Sequence, residues 1–130
     1  ADQWAPKETG LYKMDFITGE TEMIISLDKM ATIIFGQNRP ANPKGRLYFF
    51  REGFNLSGTR FIAFVKDVRN GQTVTYGYSM TPEGTDIRFL YMEPSHHYWV
   101  DDETILDWGK NHIDPQTNRK TSGYYLFKWT

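Results

Sequence analysis

The sequence predicts an all-β chain of antiparallel, four-stranded, blade-like sheets, and three observations carry that expectation. Aromatic residues make up 16% of the 130 residues, interrupted by 11 Gly and 6 Pro. Flat, stiff side chains suit a pleated surface, and Gly and Pro suit turns. Short apolar runs bounded by turn residues are frequent, whereas helix-period stretches are scarce. Finally, Phe54–Phe64 aligns without gaps on Tyr98–Trp108, an offset of 44 residues.

The elements follow in chain order. Leu11–Met14 and Glu22–Ile25 flank Thr18-Gly19 and read as a hairpin. Ser26–Ala31 permits a helix but reads as a short turn or connector. Arg60–Asp67 and Val74–Met80 flank Arg69-Asn70-Gly71, and Asn-Gly is a strong tight-turn signal. A further hairpin joins Tyr76–Met80 to Ile87–Tyr91 through Pro82-Glu83-Gly84. Thr104–Trp108 and Tyr124–Trp129 complete the strands, with Gly109–Ser122 as a long polar loop between them.

In each copy of the repeat an aromatic leads into a polar turn, then Thr and an apolar strand. Tyr78 finds its counterpart in Tyr125 at an offset of 47, and Leu11–Met14 matches Gly77–Met80 as an earlier half-copy. A period of about 40–50 residues with several strands per unit is the signature of propeller blades. The chain then reads as one domain of repeat units 1–46, 47–93 and 94–130, roughly two and a half to three blades of a β-propeller. Phe61–Val65 is apolar on both faces, as a strand covered from both sides must be. Phe61, Ala63, Phe64, Ile105, Leu106 and Trp108 are the expected core, and a single β-sandwich is the rival architecture.

Composition removes several functions. Lys plus Arg number 15 against 16 Asp plus Glu, a net charge of -1, so there is no electrostatic footprint for nucleic acid. The absence of cysteine excludes disulfides and thiolate metal sites. Runs such as Met23–Ile25 are too short to cross a membrane. Ala1-Asp2-Gln3-Trp4 lacks the basic and apolar regions of a signal peptide, which leaves the compartment open.

The segment Asn55-Leu56-Ser57-Gly58-Thr59-Arg60-Phe61-Ile62-Ala63-Phe64 resembles the degenerate repeat of TolB-type propellers, an architecture shared with oligogalacturonide lyases. Ser95-His96-His97-Tyr98-Trp99-Val100-Asp101-Asp102 is similar to a blade start of uncharacterised bacterial propellers, and Gly10–Thr21 resembles their outer hairpin. The resemblance spans most of the chain. It implies a piece of a ring, since whole members have about six to eight blades. It also implies a carbohydrate ligand and favours a periplasmic or secreted location. The lyases hold a metal with several histidines, and their ligand set does not map residue by residue onto His96, His97 and His112.

Two groups of residues are candidates for chemistry. His96 and His97, as strand neighbours, point to opposite faces, so a divalent metal would need one of them, with His96 preferred, plus distant His112 or a carboxylate. The plainer expectation is that His96 bonds backbone and His97 caps a turn. The loop residues His112, Arg119 and Lys120, with His96 and the aromatic Trp99, form a candidate site for an anionic sugar through cation contacts and ring stacking. The alternative is a solvated insertion beside core aromatics. Asp101-Asp102-Glu103 reads as a solvated turn, because Asp bonds its own backbone there.

No phosphate-cradling loop, nucleophile elbow or paired zinc motif is present. The expected function is a carbohydrate-binding or scaffolding module without complete catalytic machinery. The alternative is part of a carbohydrate-active enzyme such as a uronate lyase. Self-association is expected too, because an open piece of a ring leaves apolar blade faces bare.

Overall fold

The computed structural model describes residues 3–114 and 116–130, with the side chains of residues 110–112 excepted. Its strands form three antiparallel sheets, and the all-β expectation stands. Strands β1 (Gly10–Met14) and β2 (Thr21–Ser26) make a hairpin. Strands β3 (Arg46–Phe54), β4 (Phe61–Arg69), β5 (Gln72–Met80) and β6 (Arg88–Met92) make a four-stranded sheet in that order. Strands β7 (His97–Trp99), β8 (Thr104–Ile113) and β9 (Lys120–Lys128) make a third. No sheet closes on itself among the described residues.

Local chemistry explains the joints. At the β4–β5 turn Asn70 and Gly71 both take positive φ, 51° and 71°, which matches the twist of a two-residue hairpin. At the β1–β2 turn the Asp15 carboxylate accepts from the backbone N–H of Ile17 and Thr18, at 2.8 and 3.1 Å. These bonds to the charged form hold its carboxyl below the usual range. Ser26 is followed by a helix, α1 (Leu27–Phe35), not by the short connector expected. Its Oγ accepts from the Lys29 N–H, and Leu27, Met30 and Ala31 form the buried face.

Two compact units divide the chain: Ala1–Phe50 with Val65–Val74, and Arg51–Phe64 with Thr75–Thr130. In the first, Trp4 is fully buried and its indole N–H donates to Asp67 at 2.9 Å. The Arg69 guanidinium pairs with the same buried carboxylate at 2.8 Å, so the charge is compensated. Ile25, Leu27, Met30 and Leu47 complete that core.

In the second unit, Phe61, Ala63, Phe64 and Ile105 are buried as expected, together with Ile62 and Met80. Arg60 is buried as well, with its guanidinium bonded to Ser79 and Asp86 and lying 4.1 Å over the Trp129 ring. Burial lowers the Arg60 pKa, while Asp86 acts in the opposite direction.

Three further expectations are corrected. The Gly109–Ser122 loop is mostly strand, because β8 runs to Ile113 and β9 starts at Lys120. Leu106 and Trp108 are only half-buried: they share a sheet face with Tyr124 and Leu126, both about two-thirds exposed. The gapless alignment holds for β4 against β8 but slips by one residue before the turn. Asn55 N–H closes the first turn on the Arg60 carbonyl at 2.8 Å, whereas Val100 N–H closes the second on Thr104 at 2.9 Å. The second turn is therefore one residue shorter, and Phe54 is the counterpart of Trp99, not of Tyr98.

Candidate functional site

Strands β3 and β7 are each the first strand of their sheet, and residues 51–53 of β3 meet β7 and the preceding His96 within the second unit. The contact is built from the backbone outward. Trp99 is buried, and its indole N–H donates to the Gly53 carbonyl at 2.9 Å. The His97 ring lies so close to Gly53 that a Cβ there would stand 2.4 Å from Nε2, which is why glycine occupies the position. His97 also meets the Phe64 ring edge-on at 5.2 Å. Burial, then the Arg51 charge, push the His97 pKa down, so the ring is neutral at physiological pH. Its Nδ1 is buried and takes part in no hydrogen bond among the described residues.

His96 faces the other way, as alternation requires, and is exposed. Its Nδ1 lies 2.5 Å from an Arg51 guanidinium nitrogen. Arginine can only donate, so the imidazole proton sits on Nε2. Arg51 reaches this position from a left-handed backbone, φ 57°, within β3. Gly53, Phe54, Leu56, His97, Tyr98 and Trp99 line a hollow of about 230 Å³. Phe54 and Tyr98 are 57% and 67% exposed, so two aromatic rings border it facing solvent.

The two repeat turns lock this edge. Asn55 is buried; its Oδ1 accepts from the N–H of Thr59 and Arg60, and its Nδ2 donates to the Asp102 carbonyl at 3.2 Å. Asp102 in turn accepts from the Ser57 N–H at 2.8 Å. Asp101 accepts from the N–H of Glu103 and Thr104, which lowers its pKa, the turn role expected of it. The acidic cluster is thus turn structure.

No family model, no curated protein and no solved structure matches this chain. The site therefore rests on its own geometry.

That geometry puts His96 and Trp99 on the same edge but on opposite faces, and leaves the loop candidates elsewhere. His97 pairs with Asp107 across β7–β8, while Lys120 pairs with Ile113 at the far end of β8. Six residues of strand separate those points, about 20 Å. Arg119 and Lys120 are exposed beside that distant hairpin end. The side chain of His112 lies outside the described residues. Among the described residues no three His, Asp or Glu gather as metal ligands. Sequence reasoning missed Arg51 and Gly53: an arginine and a glycine inside an aromatic strand carry no motif, and only a neighbouring strand gives them a role.

Proposed function

We propose that the chain is a piece of a β-propeller serving as a carbohydrate-binding module without a complete catalytic set. The observation that carries this reading is the pair of solvent-facing rings, Phe54 and Tyr98, bordering the 230 Å³ hollow. Exposed aromatic faces gain by stacking on the apolar faces of sugar rings, and Trp99 fixes the floor beneath them. The Arg51–His96 pair lies on the same edge but outside the lining of the hollow, so its donors would serve a sugar hydroxyl or carboxylate that extends beyond it. A meander of four strands followed by the start of a similar sheet supports the blade reading.

Titration with neutral and uronate oligosaccharides, followed by amide chemical shifts, tests the proposal. Tyr98→Ala and Phe54→Ala should each weaken binding about tenfold. Arg119→Ala and Lys120→Ala should leave it unchanged. Affinity lost only in the latter pair would move the site to the distant hairpin. Appearance of unsaturated product from oligogalacturonide would replace the binding reading by the lyase one.

A further inference from the structure

The four-stranded sheet and the β7–β8–β9 sheet treat equivalent faces differently. On β4, Ile62 and Phe64 are fully buried, and His97 of the following sheet lies against Phe64. At the same offset of 44 residues, β8 presents Leu106 and Trp108 on the corresponding face. Across β8–β9 these pair with Leu126 and Tyr124, which are 67% and 68% exposed. Trp108 and Tyr124 meet edge-on at 5.0 Å, so the four side chains form one apolar patch. By the quasi-repeat, what belongs over it is part of another antiparallel strand pair, as β7 lies over Phe64.

A lysine stands at either margin of the patch, Lys128 close enough to Asp101 to help lower that carboxyl's pKa. Along β9, Lys120, Ser122, Tyr124, Leu126 and Lys128 alternate outward, which puts a lysine at either end. Two such faces packed together would bring like charges to both ends of the contact. The β1–β2 hairpin has the opposite character. Phe16 and Ile17 at its tip are 97% and 96% exposed, yet the bonds to Asp15 hold the turn in a fixed shape. Tyr12 and Met14 on β1 are more than half exposed. An open hollow of about 490 Å³ on this hairpin is lined in part by Asp15, Glu20 and Glu22, and Lys13 pairs with Glu22 at 3.4 Å.

We propose that the chain associates head to tail: the β1–β2 hairpin of one copy covers the Leu106–Trp108–Tyr124–Leu126 face of a second. Phe16 and Ile17 lie over the apolar patch, and Lys128 meets the acidic hollow. The inference rests on the partial-propeller reading in one respect, that a bare sheet face takes another blade-like surface. A heterologous contact of this kind uses a different surface on each partner, so each copy keeps one of each free for further contacts.

Sedimentation of three proteins decides it: the wild type, Phe16→Ser with Ile17→Ser, and Tyr124→Ser with Leu126→Ser. All four positions are exposed, and unchanged circular dichroism and thermal midpoints check that the variants fold. The wild type should associate at micromolar concentration, less tightly in high salt, and each double variant should weaken association about tenfold or more. Mixing the two variants should restore a complex that stops at one-to-one, because one intact hairpin meets one intact sheet face. A tip variant that associates like the wild type, or a mixture that stays monomeric, overturns the named surfaces and leaves the propeller reading standing. A strictly monomeric wild type overturns the inference, and if sugar titration also fails, the reading beneath it. Flotation of the wild type, and not the tip variant, with phosphatidylcholine vesicles would reassign the tip to a lipid surface and overturn it as well.

Discussion

Phe64 has no exposed surface, and one of its neighbours is the edge of an imidazole that burial keeps neutral. Truncation to alanine removes ring contacts on a strand packed from both faces, where little can move in to fill the space. Phe64→Ala should cost about 3–5 kcal/mol in chemical unfolding. A loss under about 1 kcal/mol would mean that the strand is not central. The burial of Phe61 to Phe64 was legible in the sequence, because only a strand covered on both sides tolerates four apolar residues in a row. For Leu106 and Trp108 the same argument overreached: equivalence in a repeat transfers a side chain's direction, whereas its cover depends on the neighbour. Arg51 was illegible for a related reason, since its role is set by His96, 45 residues away.

At the scale of elements, hairpins were the easiest to read. Asn70-Gly71 and the Thr18-Gly19 pair encode their turns locally, and the flanking strands follow. Helix α1 was harder. Leu27, Met30, Ala31 and Ile34 have helical spacing, but the run Thr32-Ile33-Ile34-Phe35 is β-branched or aromatic and looks like strand. The Ser26 cap and packing of the apolar face decide in favour of the helix. The far ends of β8 and β9 look like loop because neither face there is consistently apolar, so no period marks them.

The join between β6 and β8 offers a test of its own. Tyr91 donates to Asp107 at 2.6 Å, and Asp107 is only 1% exposed, with a second bond from the Ser95 N–H. Burial raises the Asp107 pKa above its ordinary 3.8, and the Tyr91 hydroxyl opposes that rise. Tyr91→Phe should therefore cost about 2 kcal/mol at neutral pH, where a charged buried carboxylate loses a donor. The sign with pH follows from proton uptake. A folded value above 3.8 means that the fold binds a proton more readily than the unfolded chain, so stability rises as pH falls through that value. The rise is larger in the variant, whose carboxyl is pushed further up. The gap between variant and wild type in urea unfolding should thus narrow from pH 7 to pH 4. A gap that widens would reverse the assignment of a buried, charged Asp107.

For the whole molecule, the decisive fact is how the chain is shared between its two units. It passes from one to the other at Phe50–Arg51, Phe64–Val65 and Val74–Thr75, so neither unit is a continuous segment. A peptide of residues 75–130 lacks Phe61, Ile62 and Phe64 and with them the centre of its unit. It should show no cooperative thermal transition, whereas the full chain should show cooperative unfolding; a folded 75–130 peptide would refute the need of that unit for residues 51–64. Repeats were visible in the sequence, but this interleaving was not, because periodicity compares segments without saying which pack together. The left-handed backbone at Arg51 has a further consequence. Strand β3 borders its sheet, and an uninterrupted border strand is a template on which foreign strands add, the first step of fibre growth. One residue at φ 57° breaks the flat repeat there, so the turn of the chain that carries Arg51 to His96 also makes the border a poor seed for aggregation.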